Sequence, residues 1–250
     1  MNTIFRSILL LFLISFSLTA YSQFLEKANM SFRNAHFDIF IIKIDSSLSG
    51  KVSFAENINM SSEERYFSSI EQATNSTFFA ITASIVDTAC RPLGFYVSNR
   101  NKIKSVNLDN GTGNFFIKPN GIFAITSNKE FVITDALKFD TTENSTTAIQ
   151  SGPMLISNGI INPAFDKNSK NKHIRCAIGM YTDKGSRFLI FVKSTEPVSF
   201  FQLAQLLQEK FNCLDALSLE SGDNCSMHPV VIPKKYDDRK RVCRYLLINF

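Results

Sequence analysis

Tryptophan is missing from this 250-residue chain, and histidine occurs three times. His36, His173 and His228 lie far apart in the sequence, so a metal site built from three histidines is not expected. Cysteine never occurs in a Cys-x-x-Cys spacing, which argues against a zinc cluster. No stripe of lysine and arginine with interleaved aromatic residues indicates a nucleic-acid partner. The sequence therefore predicts no metal centre, no cofactor and no nucleic-acid binding, while dependence on a divalent cation stays open.

The cysteines are present in an odd number, as Cys90, Cys176, Cys213, Cys225 and Cys243. At least one of them must be free or must pair with another molecule. Pairing of Cys213 with Cys225 or with Cys243 is conceivable after export, and the alternative is that most are buried thiols acting as small apolar residues.

A long membrane-spanning run is also lacking. The N-terminus has one positive charge at Arg6, an apolar run over residues 8–18, and small residues at Ala20 and Ser22. This pattern predicts a secretory signal over residues 1–22, and therefore an exported protein that is periplasmic or secreted and has no stable membrane span once the signal is removed. Loss of Arg6 with the signal lowers the formal net charge by one from +5.

What the sequence has in abundance is apolar residues, 44% of the total, including 24 phenylalanines. A chain of this length can bury a sizeable core. No internal repeat or low-complexity linker interrupts the part after the signal. We therefore expect one domain over residues 23–250.

Short runs of β-branched and aromatic residues, separated by Gly and Asn turns, predict strands through the first two thirds of the chain. The predicted strands are 37–44, 52–54, 78–85, 95–97, 103–106, 115–117, 122–125, 131–133 and 154–156. An Asn-Gly pair at 120–121 favours a hairpin between two of them. The polar segment 138–149 is predicted to be a loop, and a capping box at Ser61 predicts a helix that ends near Gln72.

The last third predicts a hairpin, a helix and two further strands. Strands 174–181 and 187–193 flank a turn at 182–185, and strands 214–219 and 245–248 follow. Ser199 and Gln202 form a capping box that opens an amphipathic helix over 200–211. The fold class expected is α+β, a single domain with a mixed, largely antiparallel sheet flanked by a few helices.

Three polar turns could carry chemistry, because each follows or precedes a predicted strand or helix. They are Thr74–Thr77, His173–Arg175 and Glu220–Ser226. Between them they offer an amide, a guanidinium and two carboxylates, which could bind an anion and polarise a bond. Polar turns are more often simply solvated, and no Gly-x-Ser-x-Gly turn indicates a serine nucleophile.

Six sequence blocks occur in an order that resembles the phosphodiester glycosidase family. They are Ala73-Thr74-Asn75-x-x-Phe78-Phe79, Pro92-Leu93-Gly94, Gly113-Asn114-Phe115-Phe116-x-Lys118-Pro119-Asn120-Gly121, Gln150-Ser151-Gly152-Pro153-Met154-Leu155, Arg175-x-Ala177-Ile178-Gly179 and Asp215-Ala216-Leu217-x-Leu219-Glu220. The resemblance covers about residues 35–248. It implies hydrolysis of a sugar-1-phosphodiester at the glycosidic carbon.

The resemblance also implies roles for individual residues. Arg175 would hold the phosphate and Asn75 would orient the substrate, while Gly152 would let the backbone approach closely. Ser226 is a further candidate for substrate binding. Glu220 stands in the place of the family's catalytic Asp, and Asp223 is the second candidate for the catalytic carboxylate.

The chain departs from the family pattern at two turns. Ser76-Thr77 replaces small Gly or Ala residues. Glu220-Ser221-Gly222 replaces Asp-Gly-Gly, and Glu is longer than Asp by about one methylene. Either Asp223 takes over, or the turn serves another substrate, or catalysis has been lost. The alternatives to an enzyme are a phosphosugar- or glycan-binding protein of the same fold and an exported interaction protein. The sugar, the stereochemical course and the oligomeric state stay open.

Overall fold

The structure is a computed structural model that describes residues 25–57, 78–83, 85–142, 144–228 and 242–250. These residues form sixteen β-strands and one α-helix. The strands are β1 (Leu25–Phe32), β2 (Ala35–Lys43), β3 (Val52–Glu56), β4 (Phe78–Thr82), β5 (Tyr96–Ser98), β6 (Asn101–Lys104), β7 (Gly121–Thr126), β8 (Phe131–Asp135), β9 (Ser145–Ser151), β10 (Met154–Ser157), β11 (Ile160–Ile161), β12 (Arg175–Asp183), β13 (Ser186–Ser194), β14 (Asp215–Ser221), β15 (Met227–His228) and β16 (Arg244–Asn249). The helix α1 is Phe200–Phe211.

The strands form three sheets. The largest has the order β1-β2-β13-β12-β14-β10-β11, a second has the order β15-β4-β16-β3, and the third has the order β6-β5-β9-β7-β8. Each strand pairing within these sheets is antiparallel. The largely antiparallel character is therefore confirmed, whereas the expected mixed sheet with a few helices is not what the described residues show. They contain three sheets and a single α-helix.

The hydrophobic core fills the space between the sheets. Its main cluster takes residues from all three, among them Phe79, Phe123, Phe191 and Leu217. A second cluster lies between the outer face of the seven-stranded sheet and α1, and includes Leu203 and the other buried residues of the helix. Phenylalanine supplies many of the large buried side chains, since each aromatic ring removes a large apolar area from water.

Helix α1 begins and ends as its sequence predicts. The Ser199 hydroxyl accepts from the Gln202 backbone N–H at 3.1 Å, and the Gln202 side chain accepts from the Ser199 N–H at 3.1 Å. This confirms the capping box. Asn212 ends the helix in the left-handed conformation at φ 51°. The apolar stripe of α1 faces the seven-stranded sheet. The first turn of the helix, with Phe200 and Phe201, lies near the start of β12.

Three predictions for the middle of the chain are wrong. The Phe115–Ile117 segment is not a strand, because Asn114–Phe116 forms a 3-10 turn that follows Gly113 at φ 96°. The expected Asn-Gly hairpin is therefore absent, and Gly121 instead opens β7 between β8 and β9. The predicted loop at 138–149 contains most of β9, which pairs on one side with β5 and on the other with β7.

Other strand predictions agree closely with the structure. The β12–β13 hairpin turns at Lys184 and Gly185, both with positive φ, and its register runs from Cys176 opposite Lys193 to Asp183 opposite Ser186. The strands predicted at 37–44, 52–54, 122–125, 131–133 and 245–248 are also present.

The cysteine pairing differs from the arrangement considered for the sequence. Disulfides join Cys90 to Cys243 and Cys176 to Cys225, and Cys213 is the buried free thiol. Burial raises the pKa of the Cys213 thiol to about 12, so it is not a reactive nucleophile at neutral pH.

Several predictions concern residues outside the described ranges. They include the signal over residues 1–22, the helix opened by Ser61, and Asn75 with the polar turn around it. Within the described ranges, no helix is both long enough and apolar enough to span a membrane.

Candidate active site

The site is built where β12 begins and β14 ends. Arg175 pairs with Ser221, and two residues later Ala177 pairs with Ser218. β14 therefore has one residue more than β12 over this interval, which is a β-bulge, and Glu220 lies inside it. A bulge changes the direction of side chains and is frequent beside active sites. The sequence-predicted residues Arg175 and Glu220 are thus brought to the same end of two neighbouring strands.

Arg175 is completely buried. Its Nε donates to the Val198 carbonyl at 2.8 Å, and its Nη2 donates to the Asn171 carbonyl at 3.2 Å. Its Nη1 donates to the Ser221 hydroxyl at 3.3 Å. The guanidinium lies over the Phe200 ring, with its carbon 3.5 Å from the ring centre. Within the described residues, three of its five N–H groups are therefore used, all by neutral acceptors.

The charge of Arg175 persists despite this burial. Desolvation lowers the pKa of the guanidinium to about 10, which still leaves it a cation at neutral pH. No carboxylate of the described residues forms an ion pair with it. The site therefore has a fixed positive charge that no described acidic group neutralises. Direct contact with a substrate phosphate stays a prediction, and it requires a covering group such as the Phe200 ring to move.

Glu220 is the carboxylate that lies inside this bulge, and it is partly buried. Burial raises the pKa of its carboxyl to about 7, and the Ser221 N–H, which donates to Oε1 at 3.3 Å, opposes that rise. A carboxyl group with a pKa near neutrality can exchange a proton with a reacting group under physiological conditions.

The turn after Glu220 is fastened to the start of β12. Gly222 adopts φ 69°, which favours glycine, and its N–H donates to the Ile174 carbonyl at 2.7 Å. The disulfide between Cys225 and Cys176 ties the far end of the turn to the residue after Arg175. Asp223 is exposed on the 3-10 segment between these anchors.

Ser226 is buried and contacts the neighbouring sheet. Its N–H donates to the Thr82 hydroxyl at 3.0 Å, and the Thr82 N–H donates to its carbonyl at 2.9 Å. Its hydroxyl lies 2.8 Å from Nε2 of His228. Ser226 thus links the turn to β4, and its role in substrate binding stays a prediction.

Gly152 makes a close backbone approach, but to its own chain. A Cβ atom at this position would lie 2.9 Å from the Asn120 Cβ and 3.0 Å from the Phe115 carbonyl oxygen. The structure therefore requires glycine here for packing. A contact between Gly152 and a substrate stays untested.

Gln150, for which the sequence predicted no individual role, is the centre of a buried polar network. Its Oε1 accepts from the backbone N–H of Phe95 at 2.8 Å and of Asn107 at 2.9 Å. Its Nε2 donates to the Asn107 carbonyl at 2.7 Å and to Asn120 Oδ1 at 3.2 Å. A Cβ at Gly94 would lie 2.2 Å from Oε1. We name this set the Gln150 network. Gly94, Asn120 and Gln150 belong to three different sequence blocks. Their presence in these blocks is the sequence signal for the structural roles that they have here.

The family model for phosphodiester glycosidase matches residues 68–248. The uncharacterized protein YigE of Escherichia coli (strain K12) is 34% identical over 142 residues, which is 56% of this chain and 54% of that protein. The match therefore spans about half of the length of this curated relative.

Two solved structures share the fold at low sequence identity. The zebrafish N-acetylglucosamine-1-phosphodiester alpha-N-acetylglucosaminidase catalytic domain, auto-inhibited by its pro-peptide, has a TM-score of 0.58 at 16% identity, over 90% of this chain and 81% of that one. A hypothetical protein from Synechocystis has a TM-score of 0.53 at 13% identity, over 90% and 62%. Together with the family model, which covers Arg175, Glu220 and the bulge between their strands, these findings show that the chain belongs to the phosphodiester glycosidase family.

Proposed function

We propose that this chain is an exported hydrolase that cleaves a sugar-1-phosphodiester at the glycosidic bond, with Glu220 as the catalytic carboxylate. The observation that supports it most is the position of Glu220, in a bulge next to Ser221, whose hydroxyl accepts from the buried Arg175, with the pKa of Glu220 raised to about 7. Family membership supplies the reaction class. The zebrafish relative is described as acting on an N-acetylglucosamine-1-phosphodiester, which suggests the substrate class.

In the proposed step, ionised Glu220 accepts a proton from a water molecule that attacks the anomeric carbon. The bond between that carbon and the phosphate oxygen breaks, and its electron pair stays on the departing phosphate. The products are the free sugar and a phosphate monoester. Because a phosphate monoester leaves readily, the reaction needs stabilisation of negative charge more than it needs a strong general acid.

Arg175 contributes in two ways to this proposal. Its hydrogen bond to the Ser221 hydroxyl positions the residue that follows Glu220. Its uncompensated charge lowers the energy of an anion that forms near the turn, since a charge in a poorly solvated site acts more strongly than one in water. Asp223 is assigned the lesser role of a second carboxylate near the mouth of the site, because it is exposed.

Export is supported by the two disulfides. Disulfides form and persist in oxidising compartments, and the pairs Cys90–Cys243 and Cys176–Cys225 each join residues distant in sequence. Together with the signal-like N-terminus, they favour a periplasmic or secreted location.

A second candidate is a phosphosugar- or glycan-binding protein without turnover. It is favoured by the closed environment of Arg175 and by Glu220 in the place of the family's Asp. Both functions share the ligand class, so a measurement of turnover separates them.

The test uses purified protein, N-acetylglucosamine 1-(methyl phosphate) and water labelled with heavy oxygen. Hydrolysis at the glycosidic bond places the label in the sugar, whereas attack on phosphorus places it in the phosphate. We expect Glu220→Gln to lower kcat by about 10²- to 10⁴-fold, as loss of a general base does. We expect kcat/KM of the wild type to rise about tenfold per pH unit until pH reaches the pKa of about 7.

Two controls decide the assignment. Asp223→Asn is expected to lower kcat less than tenfold, and Glu220→Asp tests whether the family's shorter carboxylate is better in this bulge. Turnover by the wild type that does not exceed that of Glu220→Gln and Asp223→Asn would refute the hydrolase. Ligand-induced stabilisation without turnover would establish the binding protein instead.

A further inference from the structure

A cavity of about 490 Å³ lies beside the start of α1, and cations dominate its lining. Arg33, Lys167, Lys170 and Lys172 all contribute to it, and its other lining residues are polar or aromatic. No carboxylate of the described residues is part of the lining. A cavity with one sign of charge concentrates ligands of the opposite sign.

The lysines of this cavity are available for a ligand. The side chain of Arg33 is already paired with Glu209 at 2.8 Å. Lys167, Lys170 and Lys172, by contrast, form no ion pair with a carboxylate of the described residues. The nearby Asp166 carboxylate accepts the Asn168 N–H at 2.9 Å within the loop. Lys167 Nζ lies 5.9 Å from the centre of the Phe201 ring, and no described carboxylate neutralises the charge of any of the three lysines.

Arg175 fixes both walls of this cavity. One wall is the loop at 167–172, and the Asn171 carbonyl accepts from Arg175 Nη2 at 3.2 Å. The other wall is the start of α1, where the Val198 carbonyl accepts from Nε at 2.8 Å and the Phe200 ring lies 3.5 Å from the guanidinium carbon. The third bond of the same guanidinium goes to Ser221, beside Glu220. One side chain therefore joins the cationic cavity to the proposed catalytic turn.

A second cavity of about 480 Å³ continues from the first along α1. Lys167, Phe201 and Gln205 line both cavities. The second is less charged, and Ile160 on its edge is 68% exposed. The two cavities share these three residues and form one groove, the α1 groove, which is cationic beside the loop at 167–172.

We propose that the α1 groove binds a phosphate-bearing glycan through a phosphate adjacent to the one that is cleaved, so that the substrate is a polymer of sugar phosphates. This inference rests on the proposed function. Phosphates recur at short intervals in such a polymer, and a single guanidinium with its hydrogen bonds spans the distance between the catalytic turn and the loop at 167–172. Lysines bind phosphate as mobile point charges, and the less charged half of the groove suits the sugar rings.

The test compares two substrates and two triple variants. The substrates are oligomers of poly(N-acetylglucosamine 1-phosphate) and monomeric N-acetylglucosamine 1-(methyl phosphate). The groove variant is Lys167→Gln with Lys170→Gln and Lys172→Gln. The control variant is Lys43→Gln with Lys102→Gln and Lys184→Gln, which changes the net charge equally at exposed positions elsewhere.

We expect the groove variant to raise KM for the oligomer about tenfold and to leave kcat and the KM for the monomer unchanged, because exposed charges act mainly on encounter and binding. The control variant is expected to change KM less than twofold. An equal rise of KM in both variants would overturn the inference, since it would show an effect of net charge alone.

Binding of the oligomer, measured by calorimetry without turnover, separates this inference from the proposed function. Weaker binding by the groove variant alone supports the groove even if no hydrolysis occurs. Equal binding of the oligomer by both variants contradicts the groove even if hydrolysis does occur. The groove variant is also tested for binding of a sulfated glycan of the same charge. If it loses as much affinity for that glycan as for the phosphate oligomer, the groove attracts polyanions in general, and the assignment to phosphate is overturned.

Discussion

The Gln150 network and the bulge at Glu220 each place a polar side chain inside the protein. The two side chains differ in how many of their hydrogen-bonding positions have a partner. Gln150 uses both ends of its amide, in four hydrogen bonds to neighbouring loops. Glu220 accepts one long hydrogen bond from its neighbour's N–H, and its pKa is raised. A network in which every polar atom has a hydrogen-bond partner stabilises the fold. A poorly solvated carboxyl group has a raised pKa and can therefore transfer a proton near neutral pH.

The largest expected effect on stability comes from removing the hydrogen bonds of the Gln150 network. Gln150→Leu removes the acceptor for the buried Phe95 N–H and the partly buried Asn107 N–H, and should lower the free energy of unfolding by about 3 to 5 kcal/mol. The rate per folded molecule should stay near that of the wild type, because no group of the network takes part in the reaction. Denaturant unfolding and kcat measure the two quantities.

Gln205→Leu is the matched control, since it makes the same change on the outer side of α1. It should alter the free energy of unfolding by no more than about 0.5 kcal/mol. A loss of kcat in Gln150→Leu similar to that in Glu220→Gln would show that the network belongs to the reaction.

The two disulfides allow the turn after Glu220 to be compared with a part of the protein outside the site. Replacing Cys176 and Cys225 by alanine frees the turn after Glu220, whereas replacing Cys90 and Cys243 frees a loop and a strand elsewhere. Each change should cost about 2 to 4 kcal/mol of stability, because each bond closes a long loop of the unfolded chain. Only the first should also lower kcat. Equal kcat in the two double variants, measured where both are folded, would contradict the role of the turn.

The smallest expected effect is the pH dependence of stability that Glu220 produces. Its pKa rises from 4.5 in the unfolded chain to about 7 in the folded protein, so the folded state keeps its proton longer. The contribution to stability is therefore complete below about 4.5 and is lost as pH rises through about 7. Between these limits the free energy of unfolding should fall by about 1 to 3 kcal/mol.

Denaturant unfolding across this pH range measures the effect. Glu220→Gln should remove it, since an amide does not titrate. Gln150→Leu should keep the same slope at a lower stability. A slope unchanged in Glu220→Gln would show that another group is responsible.

Much of the fold follows from local sequence. Alternating apolar runs identify β2 and the β12–β13 hairpin, and the Ser199 capping box fixes the start of α1. The polar residues of β9 predict a loop, although β9 is a central strand of its sheet. Its pairing with β5 and β7 depends on residues distant in sequence, so the local pattern does not indicate it. Phe115 is apolar enough for a strand, but Gly113, two residues before it, and the packing of Gly152 against its carbonyl favour a turn.

The candidate site was predictable in part. The order of sequence blocks placed Arg175 and Glu220 in the family's pattern, and the sheet brings them to one end of two strands. The burial of Arg175 could not be foreseen, since its acceptors at Asn171, Val198 and Ser221 come from three separate segments. The disulfide partners were equally hidden, because pairing depends on which strands meet.

The position of β16 in its sheet bears on how the chain acquires its structure during synthesis. β16 lies between β3 and β4, and it pairs with both. Arg244–Asn249 therefore joins β3 and β4, which are made about 160 to 190 residues earlier. Those strands have no shared partner until the C-terminal segment emerges, so the four-stranded sheet closes only after synthesis of this region is complete. Such non-local pairing is slow, so we expect this sheet to be the last of the three to form.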